Sequence, residues 1–358
     1  MRIGIDGREL GGRATGVGRY LRGLLREWGR ADQSRNEFVL YSPEPIEGTL
    51  DARRFATRIV AGSGGTWWEQ MSLPRAMARD GLDVLFAPAY TAPLFVRTPT
   101  VVTIHDVSFM AHPEWFGVRE GIRRRTLTRS SARRARAVVT VSEFSRRELT
   151  EWLDVPGARI HVIPQGLGVV APATHRLDTP PRLLYVGSVF NRRHVDDLVR
   201  AFEPLARARP DVSLDIVGDN RTFPHVDLAA LVNSFELVGR IRWHRYVADE
   251  QLAQLYTEAR AFAFLSEYEG LGMTPLEALA AGVPPVLADT PVARESCGDA
   301  ALYVRLGDLG ATTRALELAL FDHSTRGRIL AAAPGVLSKY SWTRAARETM
   351  AVLEASGR

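Results

Sequence analysis

Short apolar runs alternate along this chain with longer stretches whose apolar positions recur every three or four residues, and the alternation occurs twice over. The pattern predicts strands in the first half at Arg2–Asp6, Phe38–Tyr41, Asp83–Phe86, Val101–His105, Ala137–Val141 and Ile160–Ile163. It predicts helices there at Val17–Gly29, Trp68–Asp80, Arg119–Arg136 and Ser145–Leu153. In the second half, strands are expected at Leu183–Val186, Ser213–Val217, Ile241–Trp243, Ala261–Leu265, Pro285–Ala288 and Leu302–Val304. Helices are expected near Val195–Arg209, Asp227–Phe235, Asp249–Ala259, Pro275–Ala281 and Asp308–Leu320. A last amphipathic helix, Ser341–Ala355, opens on a Ser cap. Apolar strands separated by helices indicate parallel sheets covered on both faces, hence an α/β chain.

The two halves meet at Gly166–Pro181, rich in Gly and Pro and without periodicity, which reads as a linker. This gives a first domain at 1–166, a linker at 167–181, a second domain at 182–340 and a terminal helix at 341–358. A length of 358 residues suits two domains. Two doubly wound domains would place a ligand cleft at the carboxyl ends of their strands. No apolar run approaches the ~20 residues that span a bilayer. The single cysteine, Cys297, excludes an internal disulfide and a cysteine-based metal cluster. A cytoplasmic protein is expected.

The formal charge is +5, and Lys339 is the single lysine among 46 basic residues, a bias that says more about base composition than about partners. Local clustering says more. Ten arginines lie between Arg119 and Arg147 against Glu120 and Glu143, and Arg125, Arg129, Arg133 and Arg136 recur at helical spacing. The stripe reads either as a solvated helix face or as a contact with anionic lipid headgroups at the inner membrane face or with a pyrophosphate-bearing acceptor. No nucleic-acid partner is expected.

Four segments could carry chemistry. In Thr15-Gly16-Val17-Gly18-Arg19-Tyr20, Gly16 and Gly18 admit close backbone approach ahead of a helix N-terminus that favours anions. His105-Asp106 follows a buried strand, where a polar pair would meet a crevice, although Asp106 could equally cap the next turn. Gly187-Ser188-Val189-Phe190-Asn191-Arg192-Arg193-His194 puts two guanidinium forks at a helix start, a fitting pair for a diphosphate or else a solvated basic turn. The most specific segment is Glu269-Gly270-Leu271-Gly272-Met273-Thr274-Pro275-Leu276-Glu277, where a Gly-rich loop enters a helix with two carboxylates eight residues apart. There Thr274, Pro275 and Glu277 read as a capping box, which would explain Glu277 structurally but leaves Glu269 unexplained.

Taken together these segments, with Ala280-Ala281-Gly282-Val283-Pro284, His112-Pro113-Glu114-Trp115-Phe116 and Tyr340-Ser341-Trp342, resemble the group 1 retaining glycosyltransferases of the two-Rossmann-domain (GT-B) architecture. The resemblance is to their bacterial polysaccharide and mannosyltransferase branch and runs nearly end to end. It implies two Rossmann-like domains facing each other across a cleft, with the terminal helix crossing back onto the first. The first domain would bind the acceptor, a saccharide or lipid-linked sugar, and the second a nucleotide-diphosphate sugar, with GDP-mannose favoured by family association. Arg192 and Arg193 would neutralise the departing diphosphate, with Gly16 and Gly18 assisting. Glu269 and His105 would contact the sugar, and Glu277 the ribose. Gly270, Leu271, Gly272, Met273 and Thr274 would complete the donor site. No metal or other cofactor is implied, and no Asp-x-Asp pair occurs. The family usually carries Lys where Arg193 stands. The alternatives are a non-catalytic GT-B scaffold that binds a sugar nucleotide or partner protein, and a nucleotide-sugar epimerase of related architecture.

Overall fold

In a computed structural model, described for residues 1–11, 16–30, 36–46, 51, 53–168 and 180–357, the chain divides into two units. One is Met1–Gly166 with Tyr340–Arg358, and the other is Leu167–Lys339. Each is built around one parallel sheet. Residues 12–15, with Thr15, and most of the expected linker (169–179) lie outside the described residues.

The first sheet comprises β1 (Arg2–Asp6), β2 (Glu37–Ser42), β3 (Phe55–Ile59), β4 (Val84–Ala87), β5 (Thr100–Thr103), β6 (Ala137–Thr140) and β7 (Ile160–Val162), in the order β3-β2-β1-β4-β5-β6-β7. The second comprises β8 (Arg182–Val186), β9 (Ser213–Val217), β10 (Ile241–His244), β11 (Ala261–Phe264), β12 (Pro285–Ala288) and β13 (Leu302–Val304), in the order β10-β9-β8-β11-β12-β13. Their inner strands are apolar without alternation because helices cover both faces: every residue of β4, β5, β6, β11 and β12 is buried. In each sheet the strand order reverses once, between β1 and β4 and between β8 and β11. Such a reversal splays the loops at the carboxyl ends and opens a ligand crevice there.

The helix Gly16–Arg30 buries Tyr20, Leu21, Leu24, Leu25 and Trp28 against the first sheet. Each such side chain contributes about 1.5–3 kcal/mol when fully buried. The terminal helix Trp342–Ser356 belongs to this unit, although the second unit precedes it in the chain. Trp28 Nε1 donates to Ala346 O at 3.0 Å, and Ala345, Ala346 and Leu353 join the same core. Gly23 makes the contact close, since a methyl group there would come within 2.4 Å of the Trp342 ring. A Gly23→Val change would push the terminal helix off.

Several elements differ from the pattern-based expectation. Strand β3 is an edge strand with four of its five residues exposed, so it has no apolar run to signal it. The segment expected as one helix from Trp68 is a π-helical turn, Trp68–Ser72, running into a short helix, Leu73–Met77. Helices Pro291–Cys297 and His323–Leu337 were not expected. The first is a short helix capped by Thr290, and the second carries Gly327 and Pro334 within it. In the basic helix Val118–Arg134, the stripe is largely tied down. Arg125 donates to Phe109 O, Arg129 to Trp152 O, and Arg133 pairs with Asp154, while Arg136 lies beyond the helix end.

Candidate active site

At the reversal point of the second sheet, the turn after β8 carries Arg192 and Arg193, and the loop after β11 carries Glu269. The two loops are stitched together: Glu267 N donates to Arg192 O at 2.9 Å. His194 adopts a left-handed conformation (φ 45°) that ends the short Asn191–Arg193 turn and starts helix Val195–Ala208. Its ring faces Asp197 and Glu267 at 3.4 and 3.6 Å. Gly187 is needed where β8 ends: it has φ 148°, and a methyl group there would meet Arg193 Nη1 at 2.7 Å.

Arg193 and Glu269, far apart in sequence, form an ion pair with Nε 2.8 Å from Oε1. Ser266 Oγ donates to the same oxygen at 2.9 Å, and Arg193 Nη1 donates to Ser188 O at 2.9 Å. The guanidinium lies 5.1 Å from the Phe264 ring and 5.6 Å from that of Phe190, while Arg192 sits 4.6 Å over Phe190. Burial alone would lower the Arg193 pKa. The Glu269 charge and the bonds from Glu269 and Tyr185 outweigh it and hold the group charged. The pair therefore fixes one cation and one carboxylate rigidly, side by side, at the crevice edge.

The expected capping box is absent. Helix Met273–Ala280 begins two residues earlier than the Thr-Pro signal suggests, because Gly272 (φ 80°) turns the chain into it, with no side-chain cap. Thr274 Oγ1 is buried without a hydrogen-bond partner, and Pro275 is the third helical residue. Glu277 is instead held from outside its helix: Tyr256 OH donates to its Oε2 at 3.1 Å. A methyl group at Gly168 would lie 3.9 Å from the other oxygen, Oε1. The structural explanation by capping thus falls away. Gly270 and Leu271 are buried in the loop between Glu269 and Gly272.

In the first unit, His105 and Asp106 follow β5. His105 Nε2 lies 3.0 Å from Pro88 O, which can only accept, so that nitrogen carries the proton and Nδ1 is left as an acceptor. Burial lowers the pKa of His105, which keeps it neutral at pH 7. Tyr20 and Tyr90 pack on the ring at 4.9 and 5.6 Å between centroids. Asp106 does cap the next turn, accepting from Ser108 N and Oγ at 2.9 and 2.7 Å, and it also takes the Tyr90 OH at 2.9 Å. Gly16 and Gly18 lie in the first turn of their helix rather than in a loop before it. A methyl group at Gly16 would meet open space, so packing within the unit does not demand glycine there.

A buried ionic cluster that the sequence pattern does not announce lies at the reversal point of this sheet. Arg8 bridges Asp6, at 3.0 Å, and Glu69, and Thr91 Oγ1 donates to Glu69 at 2.6 Å. Asp6 ends β1 two residues before Arg8, a signal visible in the sequence. Glu69 and Thr91 join only through the fold. Tyr256 and Ser266, which hold the second unit's carboxylates, were missed for the same reason.

Two family models divide the chain between them: Glycosyltransferase Family 4 matches residues 14–169, and Glycosyl transferases group 1 matches residues 171–333. The chain belongs to the group 1 glycosyltransferases. Among its relatives, O-antigen chain mannosyltransferase B of Escherichia coli is 29% identical over 261 residues, 70% of this chain and 68% of that one. A GDP-mannose:cellobiosyl-diphosphopolyprenol alpha-mannosyltransferase of Xanthomonas oryzae pv. oryzae is 28% identical over 259 residues, 71% of this chain and 67% of that one. The solved structure of a sucrose-phosphate synthase from Thermosynechococcus elongatus shares the fold, with a TM-score of 0.77 at 18% identity over 99% of this chain and 98% of that one. This glycosyltransferase thus has the two Rossmann-like domains of the GT-B architecture and belongs to the bacterial polysaccharide branch. Among its described residues no group of three or more His, Cys, Asp or Glu side chains could hold a metal ion, and no helix is long and apolar enough to cross a membrane.

Proposed function

We propose that this glycosyltransferase moves mannose from GDP-mannose to a lipid-linked saccharide, with retention at the anomeric carbon and without a metal ion. The observation that carries the reading is the joined pair of loops at the reversal point of the second sheet: two arginines from one and a carboxylate from the other, with Glu277 on the helix that follows. The mannosyl relatives support the choice of donor.

In the transfer, the bond from the anomeric carbon to the diphosphate oxygen breaks, and its electron pair leaves with the diphosphate. The acceptor oxygen bonds the carbon on the face just vacated, and its proton passes to the departing phosphate oxygen. Arg192 and the remaining N–H groups of Arg193 meet the charge that develops there, fixed in place before it appears. Glu269, with one oxygen held by Arg193 and Ser266, presents the other to the sugar hydroxyls. Glu277 accepts from the ribose hydroxyls while Tyr256 orients it. The acceptor falls to the first unit, where neutral His105 offers Nδ1 as an acceptor for a hydroxyl.

A membrane-borne acceptor is supported by a separate surface of the first unit. Trp67 (71% exposed), Val118 (76%) and Ile122 (53%) stand clear of the core, and Arg123 Nη1 donates to Thr66 Oγ1 at 2.7 Å beside Trp67. Apolar anchors among arginines suit an anionic bilayer surface. Sedimentation with anionic but not neutral vesicles, reversed by salt, is the expected behaviour.

The test is turnover on a panel of nucleotide sugars, with and without excess EDTA. Release of GDP from GDP-mannose, unaffected by EDTA, is expected. Binding without turnover of any donor would favour the non-catalytic scaffold, and an epimerised sugar nucleotide would favour the epimerase.

A further inference from the structure

At the end of the first sheet where β5 and β6 begin, opposite the end that carries His105 and Asp106, lies a cavity of about 790 Å³. Four guanidinium groups line it, those of Arg97, Arg134, Arg136 and Arg159, and no carboxylate of the described residues does. Two of the four are fixed to the wall by backbone carbonyls. Arg134 Nη1 donates to Leu94 O at 2.9 Å, and Arg159 Nη1 donates to Arg133 O and Ala135 O at 3.1 Å each. The guanidinium groups of Arg97 and Arg136 make no hydrogen bond or ion pair with any described residue. Elsewhere in this chain, arginines habitually find carboxylates, as Arg123 and Arg124 find Glu120 and Arg133 finds Asp154. Four like charges around one cavity without a carboxylate give it a positive potential that favours a multivalent anion.

The volume lies in the range of small-molecule sites, about 300–1,000 Å³, and is larger than a bare phosphate requires. Phe95, between the lining residues Leu94 and Val96, is 80% exposed, and the Arg134 guanidinium stands 5.4 Å from its ring centroid. An exposed aromatic ring beside the cations adds an apolar lip to an anion site.

We propose that this cavity binds a diphosphate group carried on an organic moiety, at a site separate from the donor's in the second unit. The moiety could be an isoprenoid chain or a nucleoside. The shared chemistry is the diphosphate, which guanidinium forks grip in bidentate fashion.

The test is calorimetric titration of the full chain with inorganic pyrophosphate. Because the donor site also takes a diphosphate, the Arg192→Ala variant serves as the background that weakens it. In that background binding should persist, fall steeply with added salt, and weaken at least 10-fold on adding Arg97→Gln and Arg136→Gln. Both positions are exposed, so the melting temperature should not move. Geranyl diphosphate and adenosine diphosphate then distinguish the two sources. Tighter binding of the isoprenoid that Phe95→Ser abolishes would assign a lipid, and tighter binding of the nucleotide would assign a soluble ligand. If pyrophosphate binding is lost entirely with Arg192→Ala, or is unchanged by the two Gln substitutions, the proposal is wrong.

Discussion

Replacing Glu269 with Gln removes one charge and almost nothing else, and the structure sets what this should cost. Its Oε1 lies 2.8 Å from Arg193 Nε, and the two side chains are only 17% and 14% exposed. At an effective dielectric constant of about 20, charges at that distance attract by about 6 kcal/mol, most of it offset by desolvation. Breaking a buried pair outright costs about 3–5 kcal/mol. Gln can still accept from Arg193 and Ser266, so the loss should fall near the ~2–3 kcal/mol of a charge-assisted bond. For a unit of this size that is about 4–12 °C in Tm. Scanning calorimetry that resolves the second unit's transition would measure it. Arg193→Met should cost at least as much, because it strands the carboxylate. The double variant should cost about 1.5–3 kcal/mol less than the sum of the two. Additive effects, with Glu269→Gln melting at the wild-type temperature, would mean the pair holds nothing in place.

Two further predictions concern groups whose surroundings contradict simple expectation. Thr274→Val should leave stability unchanged or slightly raised in urea unfolding, because the hydroxyl is buried without a partner; a loss of about 1 kcal/mol would restore the capping box. The Asp6 carboxyl is pushed from 3.8 up to about 6 by burial, with Arg8 opposing and Glu69 reinforcing the shift. The folded state therefore holds this proton more tightly than the unfolded one. Its contribution to stability is full below about pH 4 and is lost as the pH rises through 6. Relative to Asp6→Asn, the wild type should lose about 2 kcal/mol between pH 4 and 7, and parallel pH profiles for the two proteins would contradict this.

What was legible in the sequence follows from what each feature depends on. The inner strands β4, β5, β6, β11 and β12 are buried on both faces and stand out as apolar runs. Of the thirteen strands among the described residues the pattern marks twelve, the edge strands β7, β10 and β13 included, because each of these keeps apolar residues. The exception, β3, lies at an edge and borrows its hydrogen bonds from β2. Arg192, Arg193 and Glu269 were recognisable as candidates from the turns that hold them. Their joining was not, because the ion pair spans 76 residues and depends on β8 and β11 being neighbours in the sheet. Thr274-Pro275 is a start signal only where nothing earlier turns the chain into the helix, and Gly272 does so. The arginine stripe had the right spacing for a free face. Its partners, Phe109, Trp152 and Asp154, come from segments whose approach no spacing encodes.

In the proposed function the crevice edge of the second unit holds the diphosphate of a sugar donor. Steady-state turnover of Arg192→Ala on the preferred nucleotide sugar tests it most directly. Removing one charge-assisted contact to a developing anion costs about 2–4 kcal/mol, so kcat/KM should fall about 10–1000-fold. Arg192 is half-buried and stacks on Phe190, so the variant should lose some stability but still fold, which a melting curve checks. Full activity in a folded Arg192→Ala enzyme would contradict the assignment.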